Sequence, residues 1–196
     1  MNDDSEWKQP ESIWEIRRKA PFHFLAKADN ARMSAYALSH IEGDFGSQLA
    51  SDAGYNGALS IALGEAFRRE ASISLELILK AILCVKRKSA PPSTHDIYQL
   101  WSDADLPKLQ DDDLHRLAEM TEILYWSGRY AAPNSDKNTI KADARFKKHQ
   151  KTKAIGKKLK VIEPTPLGWE EFIALYNIAA QQFWDLDPND PKNFVA

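Results

Sequence analysis

LILKAILCVKRKSAPPSTHDIYQL, residues 77–100, holds the end of one helix, its stop signal and the start of the next. An apolar run leads into Lys86, Arg87 and Lys88, cations that suit a helix C-terminus. Pro91 and Pro92 follow, and proline cannot extend a helix. Ser93 or Thr94 is placed to cap the next helix, with Asp96 in its first turn. His95 stands at that second start, and whether it serves fold, chemistry or a partner is the question the chain poses.

Upstream, a helix is expected from about Ala58 to Lys86. Leu63, Phe67, Ala71, Leu75, Ile78, Ile82 and Val85 recur at steps of three and four. Ile73, Leu77, Leu79, Leu83 and Cys84 make its second half apolar nearly all round, as a central helix requires. Glu76 and Lys80 lie four apart in that apolar half, in the order that favours a helical ion pair. Lysine and glutamate are rarely buried unless paired, so a structural pair is the economical account. Glu65 and Arg69 make a second such pair on a solvated face.

Residues 1–10, MNDDSEWKQP, read as a frayed acidic terminus, unlike a secretory signal. Residues 11–42 have helical spacing, broken at Pro21. GDFGSQLASDAGYNG, 43–57, holds four of the eight glycines and reads as a loop or a poorly formed helix end. DDDLHRLAEMTEILYWSG, 111–128, is a helix with acids at its start and Gly128 as its stop. LGWEEFIALYNIAAQQFWDL, 167–186, is the last helix, with Trp169, Phe172, Ile173, Tyr176, Ala179 or Ala180 and Phe183 on its apolar face. A short extended piece is expected at LKVIE, 159–163. The reading is all-α: an antiparallel bundle of about five to six helices. Residues 1–30 form an N-terminal extension, 31–187 the domain with a basic insertion at about 134–163, and 188–196 a tail.

Net charge is −2, so no global field draws in nucleic acid or an anionic membrane. Cys84 is the single cysteine, which excludes an internal disulfide. No apolar run approaches the roughly 20 residues of a membrane helix, and a cytoplasmic setting is expected. No phosphate loop or cofactor motif is present. No zinc pattern is present either, and His40, Glu42 and Asp44 straddle a glycine, which argues against a metal there. No metal or cofactor is therefore expected.

Residues 137–160 carry ten Lys or Arg against one acid, Asp143. Two readings stay open: a solvated loop, or a nucleic-acid contact through Lys147, Lys148, Lys151, Lys157 and Lys158. Phe146 is the only aromatic among them, so base stacking is not indicated.

SISLELILKAIL, the basic linker and prolines, then STHDIYQLW, resemble the HEPN superfamily of helical domains. ILYWSGRYAAPN, with Arg129, Tyr130 and Pro133, is similar to the GRYP loop of some members. The resemblance covers about residues 55–135 and the closing helix, and implies an antiparallel, often dimeric bundle. Many members are metal-independent endoribonucleases of toxin–antitoxin or phage-defence systems. Their motif is Arg, a polar residue, then His, with four to six residues between Arg and His. The formal match here is RRKAPFH, where Arg17 or Arg18 precedes His23; in ARFKKH, Arg145 precedes His149 with one residue too few. These are the catalytic candidates, His as acid or base and Arg on the phosphate. Other members lack the motif and act as scaffolds, antitoxin partners or binding domains.

The resemblance implies structural roles for Glu76, Asp96 and Tyr130, with His95 at the helix start. Lys80, His95 and Arg129 form a candidate cluster for a phosphate or nucleotide. The expectation is a non-catalytic, dimeric binding component of an RNA-linked stress or defence system, beside a protein partner such as a nucleotidyltransferase. The alternatives are a ribonuclease with an atypical Arg–His pair and a purely structural interaction module.

Overall fold

The computed structural model describes residues 12–127, 140, 144, 147–149, 151–155 and 159–190. Its α-helices are α1 (Ile13–Lys19), α2 (Pro21–Ser39), α3 (Gly43–Asp52), α4 (Leu59–Arg87), α5 (Ile97–Asp103), α6 (Asp111–Glu122) and α7 (Trp169–Asp185). A π-helical turn, Ile123–Ser127, continues α6, and strands β1 (Thr152–Ile155) and β2 (Leu159–Ile162) form a hairpin. The class is all-α, as the periodicity implies.

α4 is the central element. Its first turns bury little; from Ala71 to Val85 nearly every side chain is buried, Glu76 and Lys80 included. α2, α5, α6 and α7 all pack against it. Lys88 ends it in the left-handed conformation, φ 49°, after the basic last turn formed by Lys86 and Arg87. Those two cations reach across to α5 and the residues after it: Lys86 pairs with Asp105, and Arg87 Nη2 donates to Asp103 at 2.9 Å.

Pro21 opens α2 in its first turn, where a missing N–H costs nothing. Ala28, Ala31 and Ala35 form a buried stripe of small residues on α2. Small side chains let its backbone come close to α4, where Ser74 Oγ donates to the Ala28 carbonyl at 2.9 Å. Residue 30, the expected end of the N-terminal extension, falls inside α2, and Ala28 ahead of it belongs to the core. α7 buries Phe172, Leu175, Tyr176, Ala179 and Phe183. Tyr176 OH donates to Asp29 Oδ1 at 2.9 Å, which ties α7 to α2.

Residues 43–52 are helical, where a loop or a poorly formed helix end was expected. The glycines have specific uses there. Gly43 takes φ +59° at the start of α3, and Gly46 is buried, with the place of a Cβ only 3.2 Å from Leu59 Cδ2. Glycine therefore serves turning and close packing here rather than chain flexibility. The extended piece at 159–162 pairs antiparallel with β1, Thr152 opposite Ile162 and Ile155 opposite Leu159.

Cys84 lies in the core at 2% exposure, and burial pushes its thiol up to about 12, against the pull of the Lys80 charge. Folded pKa above the unfolded value means that the neutral thiol stabilises the fold below about pH 9. That contribution is lost as pH rises from about 9 towards 12. Denaturant midpoints measured up to alkaline pH should fall more steeply for the native chain than for Cys84→Ala. Parallel curves would contradict the burial of this thiol.

Candidate functional site

The segment between α4 and α5 is fixed by its own side chains. Asp96 is the N-cap of α5, accepting from the Gln99 N–H at 3.1 Å. This corrects the expectation that Ser93 or Thr94 caps the helix. Thr94 Oγ1 instead accepts from the Asp96 N–H at 3.1 Å, which sets the entry angle of the chain. Thr121 on α6 takes the remaining first-turn donors, the N–H groups of Ile97 at 3.1 Å and Tyr98 at 3.4 Å. The start of α5 is thus anchored from two sides, and His95 immediately precedes it.

Glu76 is the centre of the site. The ion pair expected from the spacing forms: Lys80 Nζ donates to Glu76 Oε1 at 2.6 Å. Both residues are buried, Glu76 at 6% and Lys80 at 8% exposure. His95 Nδ1 lies 3.0 Å from Oε1 and 3.1 Å from Oε2 of the same carboxylate. An ionised carboxylate only accepts, so Nδ1 carries the proton and the neutral ring keeps its lone pair on Nε2. Only a ring protonated on both nitrogens donates from the Nε2 edge. The His95 side chain is 38% exposed, so the ring joins the buried pair to solvent.

Tyr125, from the π-helical turn, completes the surface. Its ring stands edge-on to His95, centroids 6.1 Å apart at 88°. Its hydroxyl lies 3.2 Å from Thr94 Oγ1. One imidazole and two hydroxyls, none of them buried, therefore cluster beside a buried carboxylate–ammonium pair. That group of donors and acceptors can take an oxyanion such as a phosphate.

Lys80 and His95 do converge, but through Glu76, which absorbs the Lys80 charge. Arg129 and Tyr130, the remaining members of the expected set, lie outside the described residues. Arg18 and His23 sit on different helices across the Pro21 break; Arg18 pairs with Glu15 at 3.3 Å and His23 is exposed beside Phe24. Arg145 lies outside the described residues. His149 is buried at 7% exposure, with Nδ1 3.3 Å from Asp111 Oδ1 and its ring against Tyr98. Of the expected nucleic-acid lysines, Lys151 pairs with Asp112 at 2.6 Å, Lys148 is exposed, and Lys157 and Lys158 lie outside the described residues. Lys147 is exposed and has an interaction of its own.

His40 Nδ1 is 2.8 Å from the Tyr36 carbonyl, and its ring stacks on Tyr36. Among the described residues, no group of three or more His, Cys, Asp or Glu is placed to hold a metal ion. Arg69 reaches its neighbour Glu70 at 3.6 Å, where the spacing had pointed to Glu65. Tyr125, Thr94 and Thr121 were not singled out as site residues in the sequence. The contacts that bring them to the site, Thr94 with Tyr125 and Thr121 with the start of α5, span 23 to 31 residues of chain.

A bundle around one buried helix, with a glutamate, a lysine and a histidine at the junction with the next helix, defines the class of fold. The HEPN domain family model matches residues 65–164, just over half of the chain. The protein belongs to the HEPN domain family. No curated protein and no solved structure gives a significant match. No described helix is long and apolar enough to cross a membrane.

Proposed function

We propose that this protein is a dimeric, non-catalytic HEPN-domain component that takes a phosphate-bearing ligand, RNA or a nucleotide, at the His95 end of the bundle. The observation that carries this reading is the Glu76 carboxylate. It holds His95 by Nδ1, which leaves Nε2 out of this contact, on a ring that stands edge-on to Tyr125. The setting is an RNA-linked stress or defence module, and a nucleotidyltransferase is the kind of protein partner that suits it. Exposed apolar side chains support a partner surface: Phe45 at 67% and Ile61 at 62%.

The test follows the His95 ring resonances while adenosine monophosphate, then single-stranded RNA, is added in excess chelator. The ring signals are expected to shift on addition. His95→Gln is expected to weaken binding by about tenfold, the loss of one charge-assisted hydrogen bond. Unmoved His95 signals would remove the site. Cleavage of RNA by the native chain, but not by a variant with His23, His95 and His149 changed to Ala, would replace this reading with a metal-independent ribonuclease.

A further inference from the structure

The basic insertion is docked on the acidic start of α6. Asp111, Asp112 and Asp113 occupy its first turn. His149 Nδ1 lies 3.3 Å from Asp111 Oδ1, and Lys151 Nζ lies 2.6 Å from Asp112 Oδ1 and 2.7 Å from Oδ2. The Lys151 hydrogen bond, the largest influence on Asp112, holds that carboxyl below its ordinary range. Asp113 is turned to its own helix, where Arg116 Nη1 donates to it at 2.6 Å. Arg116 Nε also donates to the Pro166 carbonyl at 2.8 Å, behind the hairpin.

The two contacts differ in kind. His149 is seated: its ring is buried and lies 5.9 Å from the Tyr98 ring, tilted by 32°. Lys151 is a rim contact, with its side chain 51% exposed and Asp112 38% exposed. Exposed pairs of this sort contribute little to stability and are weakened by salt. Lys151 also lines an open cleft with Asp112, Glu163, Pro164, Thr165 and Pro166, so its ammonium is reachable without moving the hairpin. The Glu163 N–H donates to the Lys151 carbonyl at 3.0 Å, which extends the ladder to Lys151. On extended chain, residues two apart share a face about 7 Å apart, which puts Lys151 and Lys153 in one row. Lys153 is exposed.

We propose that this lysine row is a surface for single-stranded RNA, and that Asp112 is its internal competitor, holding the place that a phosphate takes. In the RNA-free chain, Lys151 is neutralised by Asp112. A phosphate backbone offers many equivalent anions along a flexible strand and displaces the carboxylate, while His149 keeps the hairpin seated. The chain is therefore tuned to bind long polyanions over isolated phosphates. This surface shares no named residue with the His95 site.

The experiment measures anisotropy of a labelled single-stranded RNA over a salt series. It compares the native chain, Asp112→Asn, and Glu65→Gln, which makes the same change of charge elsewhere. The Asp variant is expected to bind about fivefold tighter or more, and the control within about twofold of native. The slope of log affinity on log salt should steepen by about 0.7 for each lysine that gains a phosphate. Lys151→Ala/Lys153→Ala in the native background is expected to lower affinity, and this holds the proposal to account even where the Asp variant fails to fold. Equal affinity of the Asp variant and the control would overturn the proposal. So would unchanged affinity in the Lys variant, no RNA binding by any variant, or binding to phosphatidylserine vesicles without binding to RNA.

Discussion

Glu76→Ala is expected to destabilise the protein by about 3–5 kcal/mol, the cost of leaving a buried charge without its partner. The reason is the position of Lys80. Its ammonium is 2.6 Å from Glu76 Oε1, and it sits in the most buried part of α4, between Leu79 and Ala81 at 0% exposure. Without the carboxylate, that charge has either to lose its proton or to drag water into the core. His95 loses its Nδ1 acceptor in the same step. For a chain of this length the thermal midpoint should drop by about 10 °C. Glu76→Met combined with Lys80→Met removes both charges at similar volume and should recover most of the loss. A single-variant cost below about 1 kcal/mol in urea unfolding would show that the pair is not buried as described.

Phe172→Ala is expected to cost about 3–5 kcal/mol, as large-to-small changes of buried phenylalanine do. Phe172 is 0% exposed and meets three rings: Phe67 at 6.4 Å, Trp169 at 5.6 Å and Tyr176 at 5.9 Å between centroids. It joins α7 to α4 through Phe67. α7 lies beyond the segment that the family model matches, residues 65–164, yet it closes the core. A cost near zero would mean that α7 is an appendage. Urea midpoints with an unchanged m-value are the measurement.

α4 was legible almost to the residue: Ala58 to Lys86 from the periodicity, Leu59–Arg87 in the structure. A long helix that becomes apolar all round carries its own evidence of burial. The Glu76–Lys80 pair was legible for the same reason, since i and i+4 lie on one helical face. α3 was obscured because glycine weakens helical propensity, and the packing against Leu59 and Ile41 that compensates is invisible in a linear pattern. β1 was obscured because Thr152–Ile155 lies inside a run of lysines and gains its conformation from pairing with β2. The contacts that define the candidate sites are long-range. His95 meets Glu76 across 19 residues, and Lys151 meets Asp112 across 39. Helical spacing says nothing about such pairs. A charge count over residues 137–160 showed a basic block but not the acidic seat it occupies.

The π-helical turn at Ile123–Ser127 has a consequence for how this chain tolerates insertions and deletions. A single π turn amounts to one residue accommodated within an α-helix. Removing one residue there lets the helix revert to regular winding, and because the turn had absorbed that residue the change falls on positions 123–127 themselves. Tyr125 would leave the edge of His95, while α6 itself would stay intact because its core residues, Leu117, Ala118 and Met120, precede the turn. Chain length at residues 123–127 therefore bears on the His95 surface and on the core together, because Leu124, at 2% exposure, is buried from the same turn that presents Tyr125.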